Sequence, residues 1–167
     1  PRASAVALEG ELNMLREDMQ GGKEQIELML FRIAGQEYCI DIQEVREIRG
    51  WAAATPLPQA PRFVRGVINL RGAVLPIIDL ADRLGFGPTE VSARNAIIVV
   101  RMGDGLVGLL VDEVSEIMTA GHEALQPPPA VVDGQGSFVK GILVEGDRLI
   151  TWIVLENVLP REIELAA

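Results

Sequence analysis

The sequence predicts an all-β chain built as two packed, five-stranded barrels, with a short helix in front and few other helical turns. Three observations carry this prediction. Short apolar segments rich in Val and Ile recur along the chain and are separated by glycine turns. The longer connections are proline-rich, at Pro56, Pro58 and Pro61 and again at Pro127-Pro128-Pro129. Finally, one unit of about 65–70 residues occurs twice.

In chain order, residues 1–22 form a leader. Leu8, Leu12, Leu15 and Met19 are spaced four, three and four apart, which draws one apolar stripe on a helix ended by Gly21-Gly22. Two readings stay open, a docking helix or a frayed leader, because a helix this short is marginal alone. The β pattern begins at Ile26–Ile33, turns at Ala34-Gly35-Gln36 and returns through Tyr38–Ile42. There Ile40 and Ile42 face one side and Cys39 and Asp41 the other. Val64–Leu70 and Ala73–Ile78 pair around Arg71-Gly72. Asn95–Met102 and Leu106–Val111 pair around Gly103-Asp104-Gly105, and Phe138–Val144 and Arg148–Val154 pair around Glu145-Gly146-Asp147.

The duplication is direct. Moved forward by 69, residues 27–48 fall on 96–117 without a gap: Arg32 meets Arg101, Ile40 meets Leu109, and Glu44-Val45-Arg46-Glu47-Ile48 meets Glu113-Val114-Ser115-Glu116-Ile117. At an offset of 75, Phe63-Val64-Arg65-Gly66-Val67-Ile68 meets Phe138-Val139-Lys140-Gly141-Ile142-Leu143. A unit of this size holds about five short strands, enough for a small closed barrel. The chain therefore divides into a leader over 1–22 and a body over 23–167. The body holds a first barrel at about 24–92 and a second at about 93–160, with exchange of terminal strands between them left open. Two such barrels side by side share a core and leave a groove along their seam.

Composition sets the functional class. The 167 residues are 49% hydrophobic and 23% charged, with 15 basic residues against 24 acidic and a net charge of −9. That balance argues against nucleic-acid or anionic-membrane binding, and no apolar run is long enough for direct membrane insertion. The start, with Glu9 and Glu11, lacks signal-peptide form. One cysteine excludes a disulfide framework, and a reduced cytoplasmic protein is expected. His122 is the only histidine, so a multi-histidine metal site is impossible; it reads as an exposed loop residue. Cys39 reads as a small buried filler in a strand rather than a nucleophile. Gly103-Asp104-Gly105 with Gly108 lacks the following helix of a phosphate loop. The carboxylates Asp112-Glu113 and Glu44/Glu47 recur at equivalent points of both copies, which favours structural or surface roles. No catalytic residue, cofactor or metal site is expected. Trp51 reads as a loop contact anchor or as barrel packing, Phe63 and Phe138 as core, and Gly66 and Gly141 as barrel corners. Asn69 and Arg71 lack charged equivalents in the second copy beyond Glu145, which marks them as a place for specificity.

On these residues a resemblance rests. Tyr38-Cys39-Ile40-Asp41-Ile42 with Val45-Arg46-Glu47-Ile48-Arg49-Gly50 resembles the first signature of the CheW-like domain family, the coupling proteins of bacterial chemotaxis. Phe63 through Gly72, continuing through Leu75-Pro76-Ile77-Ile78-Asp79-Leu80, is similar to its second and most specific block, and Val107–Val114 to its third. The likeness covers roughly residues 25–160. It implies two Src-homology-3-like barrels and a non-catalytic adaptor, cytoplasmic and located at receptor arrays, that joins methyl-accepting chemoreceptors to the histidine kinase CheA. The implied partners are the receptor's cytoplasmic hairpin tip, held in the groove between the barrels, and the kinase's regulatory domain, itself a related double barrel. The matching receptor-binding positions are Ile42, Val45, Glu47, Ile48, Gly66, Asn69 and Arg71, with Glu47 paired to Arg71 mainly for positioning. The motifs assign no kinase-contact residues. The leader, the Trp51-Ala52-Ala53-Ala54 loop and the proline run at 127–129 depart from the shared blocks.

Two other readings compete. A small-molecule-binding β-barrel would need convergent polar residues inside a barrel, where the inward positions are Val, Ile and Leu. An excised regulatory domain of a kinase, or one module of a fused coupler, would share the blocks. The Asn69-Leu70-Arg71-Gly72 block and the end soon after Leu159 favour a stand-alone coupler.

Overall fold

A computed structural model describes residues 5–18, 25–129 and 138–159. Helix α1 spans Ala5–Asp18, followed by β1 (Ile26–Ile33), β2 (Gln36–Asp41) and β3 (Val45–Gly50). Then come β4 (Val64–Leu70), β5 (Ala73–Asp79) and the single-turn α2 (Leu80–Arg83). The second copy supplies β6 (Ala96–Met102), β7 (Gly105–Val111), β8 (Glu113–Ala120), the two-residue β9 (Leu125–Gln126), β10 (Val139–Glu145), β11 (Arg148–Ile153) and α3 (Leu155–Val158).

The strands form a six-stranded sheet, β8-β1-β2-β11-β10-β9, and a five-stranded sheet, β3-β6-β7-β5-β4. Under the shift of 69, β1, β2 and β3 fall on β6, β7 and β8; under the shift of 75, β4, β5 and α2 fall on β10, β11 and α3. Both sheets therefore carry one order, third-first-second-fifth-fourth, and in each the first hairpin comes from the other copy. The copies meet at two junctions in each sheet: β1 on β8 and β3 on β6 are antiparallel, while β2 on β11 and β5 on β7 are the parallel pairings. The expected division at 24–92 and 93–160 thus follows the repeated unit but not the sheets. The exchange involves the leading hairpins β1–β2 and β6–β7, which are internal to the body, rather than terminal strands.

Burial explains why β1, β6 and β7 are nearly continuous apolar runs. Residues in a strand alternate between faces, and here both faces are covered. In β1, Leu28 and Leu30 enter the interior of the six-stranded sheet with Cys39, Leu143, Ile150 and Trp152, while Met29, Phe31 and Ile33 enter a larger core shared by both sheets. In β6, Ile97 and Val99 join Leu70, Leu75, Ile77 and Leu110 inside the five-stranded sheet. Ile98 and Val100 face the shared core. The assignment of Cys39 to the face away from Ile40 and Ile42 follows the same alternation.

Two features differ from the sequence expectation. The sequence pattern places the residues after Ile42 and after Asp112 beyond the strands, yet β3 and β8 are strands themselves. Both sit at a sheet edge, where one face meets solvent and charges such as Arg46 and Glu116 are compatible with pairing. The leader is a docked helix over its described part: Leu8 and Leu12 are fully buried in the shared core. The side chain of Leu15 and residues Met19, Gly21 and Gly22 lie outside the described residues.

Candidate functional site

The β4–β5 turn carries the site's most exposed charge. Arg71 and Gly72 have φ of +50° and +89°, the left-handed pair that matches the twist of a two-residue hairpin. Asn69 Oδ1 accepts the Gly72 N–H at 2.7 Å, so Asn69 fixes the turn that presents Arg71. Across the gap, Glu47 of the edge strand β3 receives Arg71 in a fork: Nη2 to Oε2 at 2.5 Å and Nη1 to Oε1 at 3.3 Å. Arg49 Nη1 adds a third donor at 3.4 Å. These hydrogen bonds, led by that of Arg71, hold the Glu47 carboxyl below its ordinary range, and the same contact raises Arg71. The Arg71 side chain remains two-thirds exposed, so its outer donors face solvent while its inner ones are held.

Gly66 serves the scaffold. A Cβ there would lie 2.1 Å from the Thr55 carbonyl oxygen, and φ is +139°. That close approach lets Thr55 and Val67 exchange two backbone hydrogen bonds of 2.8 Å, which tie the proline-rich connection to β4. Gly141 plays the equivalent part beside β9, where a Cβ would lie 2.6 Å from the Gln126 carbonyl.

The apolar members of the expected site behave otherwise. Ile42, Val45 and Ile48 are buried in the shared core rather than open to solvent. Val45 and Ile48 lie where α1 runs against β3 and β8. The structure thus brings Glu47, Asn69 and Arg71 together at the surface and sets Val45 and Ile48 beneath the helix.

One counterpart escaped the sequence comparison. Glu116 is the 69-shifted equivalent of Glu47, and Arg148 reaches it at 2.6 Å while also forking onto Glu37 at 3.1 and 2.7 Å. The second copy therefore has its own arginine–carboxylate clasp, contrary to the expected asymmetry. It was hidden because its arginine stands two positions beyond the Arg71 equivalent, Gly146. The recurrence of Glu47 as Glu116 was the available signal.

The remaining candidates have structural roles. Asp112 Oδ2 accepts the Ala34 N–H at 2.8 Å and braces the β1–β2 turn, and Arg32 lies 3.8 Å from Glu113. Cys39 is fully buried, which pushes its thiol far up from the ordinary value. His122 is exposed in a 3₁₀ turn. Trp51 packs against the interior of the five-stranded sheet. Phe63 and Phe138 are only partly buried: they sandwich the Arg83 guanidinium at 5.0 and 4.7 Å, while Arg83 Nε donates to the Val158 carbonyl at 2.6 Å and so links the copies. Both sheet interiors are lined by apolar side chains, which leaves the ligand-binding barrel without its polar lining. Among the described residues no His, Cys, Asp and Glu cluster could hold a metal, and no helix is long and apolar enough to cross a membrane.

The CheW-like domain matches residues 27–162. "Chemotaxis protein CheW" of Rhizobium meliloti is 48% identical over 148 residues, 88% of this chain and 94% of that protein. "Probable chemotaxis protein CheW" of Rhizobium etli is 53% identical over 131 residues, 78% of this chain and 84% of the other. Among solved structures, the scaffolding protein TtCheW from Thermoanaerobacter tengcongensis superposes with a TM-score of 0.72 at 35% identity, covering 77% of this chain and 88% of that one.

Proposed function

This chain belongs to the CheW-like domain family, and from that membership we propose how it works: as a non-catalytic adaptor that couples methyl-accepting chemoreceptors to the histidine kinase CheA. The two sheets are the family's Src-homology-3-like barrels. Its partners are a chemoreceptor's cytoplasmic hairpin tip and the kinase's regulatory domain, and its place is in the cytoplasm at receptor arrays. The receptor meets the seam between the barrels at Glu47, Asn69 and Arg71, with Val45 and Ile48 as the apolar floor, Ile42 behind them in the core, and Gly66 shaping the β4 edge.

The observation that carries this reading is the Glu47–Arg71 clasp, which bridges the β3 edge and the β4–β5 turn. Arg71 is held by a left-handed turn and a bidentate carboxylate, so its orientation is set before any partner arrives. An ordered cation with free outer donors steers and registers a polar helix more than it adds raw affinity. Each contact is modest, and arrays multiply it through simultaneous engagement.

The test is CheA autophosphorylation with receptor-containing membranes, with and without this protein. Control by receptor ligand that appears only on addition of the protein is the expected result. Kinase output that stays unchanged, with neither partner co-sedimenting, would refute the coupling role for that pair.

A further inference from the structure

Leu8 and Leu12 lie one helical turn apart on one face of α1. Both are fully buried, in the same apolar cluster as Val45 and Ile48 of β3 and Val114 of β8, with Ile117 packed against it. Val45 and Val114 are equivalent under the 69-residue shift, as are Ile48 and Ile117. The helix therefore rests on a pseudo-symmetric floor between the two edge strands. It also meets β3 through a polar contact: Glu9 Oε2 accepts the Ile48 N–H at 2.6 Å. Edge strands present outward N–H groups with no strand partner, and Glu9 satisfies one of them.

We propose that α1 is an intramolecular occupant of the partner groove, so that the free chain holds its docking seam closed and a partner helix binds by displacing α1. The inference rests on the reading of this seam as the receptor site. It also says what the partner displays: an amphipathic helix with two aliphatic side chains four residues apart and a carboxylate next to the first, as Leu8, Glu9 and Leu12 do. The contact suits exchange. A 14-residue helix is marginal by itself, Gly10 near its centre lowers its helical propensity further, and its described contacts include Leu8, Leu12, the partly buried Ala5 and the Glu9 hydrogen bond. Undocked, the segment gains chain entropy, which favours release once a longer helix competes. The apparent affinity of a partner is reduced by the fraction of molecules whose groove is open.

The experiment compares full-length wild type with the full-length Leu8→Asp/Leu12→Asp variant, titrating each with a soluble fragment of a chemoreceptor hairpin tip. Burying two aspartates under α1 is prohibitive, so the groove opens, and the variant is expected to bind the fragment about tenfold more tightly or better. A peptide of residues 1–22 added in trans is expected to compete with the fragment for the variant. Glu9→Ala, which keeps the apolar contacts, should tighten binding about two- to fivefold, and it decides the matter should the double variant lose its urea transition. Equal or weaker fragment binding by a folded variant would overturn the displacement and leave the receptor site standing. If the fragment binds neither wild type nor variant, the receptor reading falls and this inference falls with it.

Discussion

Replacing Gly66 with alanine separates a scaffold role from a contact role at the candidate site. The new Cβ would sit 2.1 Å from the Thr55 carbonyl oxygen, 2.6 Å from its carbon and 2.9 Å from the Pro56 nitrogen. Ordinary contact requires more than about 3 Å, so the Thr55–Pro56 backbone must retreat by roughly 1 Å. That movement breaks the pair of 2.8 Å hydrogen bonds between Thr55 and Val67, each worth about 0.5–1.5 kcal/mol net. An alanine held at φ +139° adds about 1–3 kcal/mol of backbone strain. The expected loss is about 2–6 kcal/mol, read as a fall in the urea midpoint at unchanged slope and followed by the fluorescence of Trp51 and Trp152. Gly146→Ala is the control: φ is +60° and nothing lies within 4 Å of the added carbon, so only about 1–2 kcal/mol of left-handed strain applies. Gly141→Ala falls between, with a 2.6 Å clash against the Gln126 carbonyl but no positive φ. A Gly66→Ala protein within about 0.5 kcal/mol of wild type would refute the close-approach argument. Any loss of receptor binding would then have to come from direct contact at the residue.

Four further outcomes follow from the geometry. Arg71→Glu should weaken hairpin-tip binding about tenfold in titration while leaving the urea midpoint nearly unchanged, and the Glu47→Arg/Arg71→Glu swap should recover part of it; unchanged binding removes Arg71 from the site. Asp79 is buried, accepts from Thr89 N and Oγ1 at 2.8 and 2.6 Å and pairs with Arg65 Nε at 3.2 Å. Asp79→Ala strands those donors at a loss of about 3 kcal/mol, or a melting temperature about 6–12 °C lower by calorimetry. The hydrogen bond from Arg148 holds Glu37 below its ordinary value, so its stabilisation is present above the unfolded carboxylate range and lost as pH falls through the folded value; the gap between wild type and Glu37→Gln in unfolding free energy should close on acidification. A fragment of residues 24–92 should show no cooperative urea transition, because its β1–β2 hairpin belongs to the other copy's sheet.

Much of the architecture was legible because the duplication is nearly gapless and the glycine turns recur in phase. Ile40 and Cys39 could be put on opposite faces from period alone, and Arg71-Gly72 could be read as a tight turn from composition. The hairpin exchange was not legible. Periodicity reports which residues are buried but not which sheet buries them, and β1 reads the same whether it pairs with β3 or with β8. Edge strands β3 and β8 were missed because Arg46, Glu47, Ser115 and Glu116 interrupt the apolar run that marks a central strand. At the site, motif resemblance picked out Glu47 and Arg71, which the fold brings into contact. It could not reveal that Asn69 acts on the turn, that Gly66 makes room for Thr55, or that Val45 and Ile48 lie under α1. Those facts depend on residues distant in sequence.

The exchanged hairpins bear on how such a coupler transmits a signal. Were each copy to form its own barrel, the two would meet across a simple interface and could pivot. Here each sheet is completed by a hairpin from the other copy, and the strands that cross over, β1, β2, β6 and β7, carry their outer faces into one common core. Shifting one sheet against the other would expose Phe31, Ile40, Ile98 and Leu109 together, all fully buried, at about 1.5–3 kcal/mol for each side chain. The seam between β3 and β8 is therefore a fixed surface, and Arg83, sandwiched between Phe63 and Phe138, adds a further cross-copy link. Among the described residues, α1 lies on that surface through Ala5, Leu8, Leu12 and the Glu9 carboxylate, and it is the element we propose to be displaced. A rigid double barrel transmits position rather than shape: a partner bound at the seam and a second bound to either barrel hold a set spacing, and regulation falls to whatever occupies the groove.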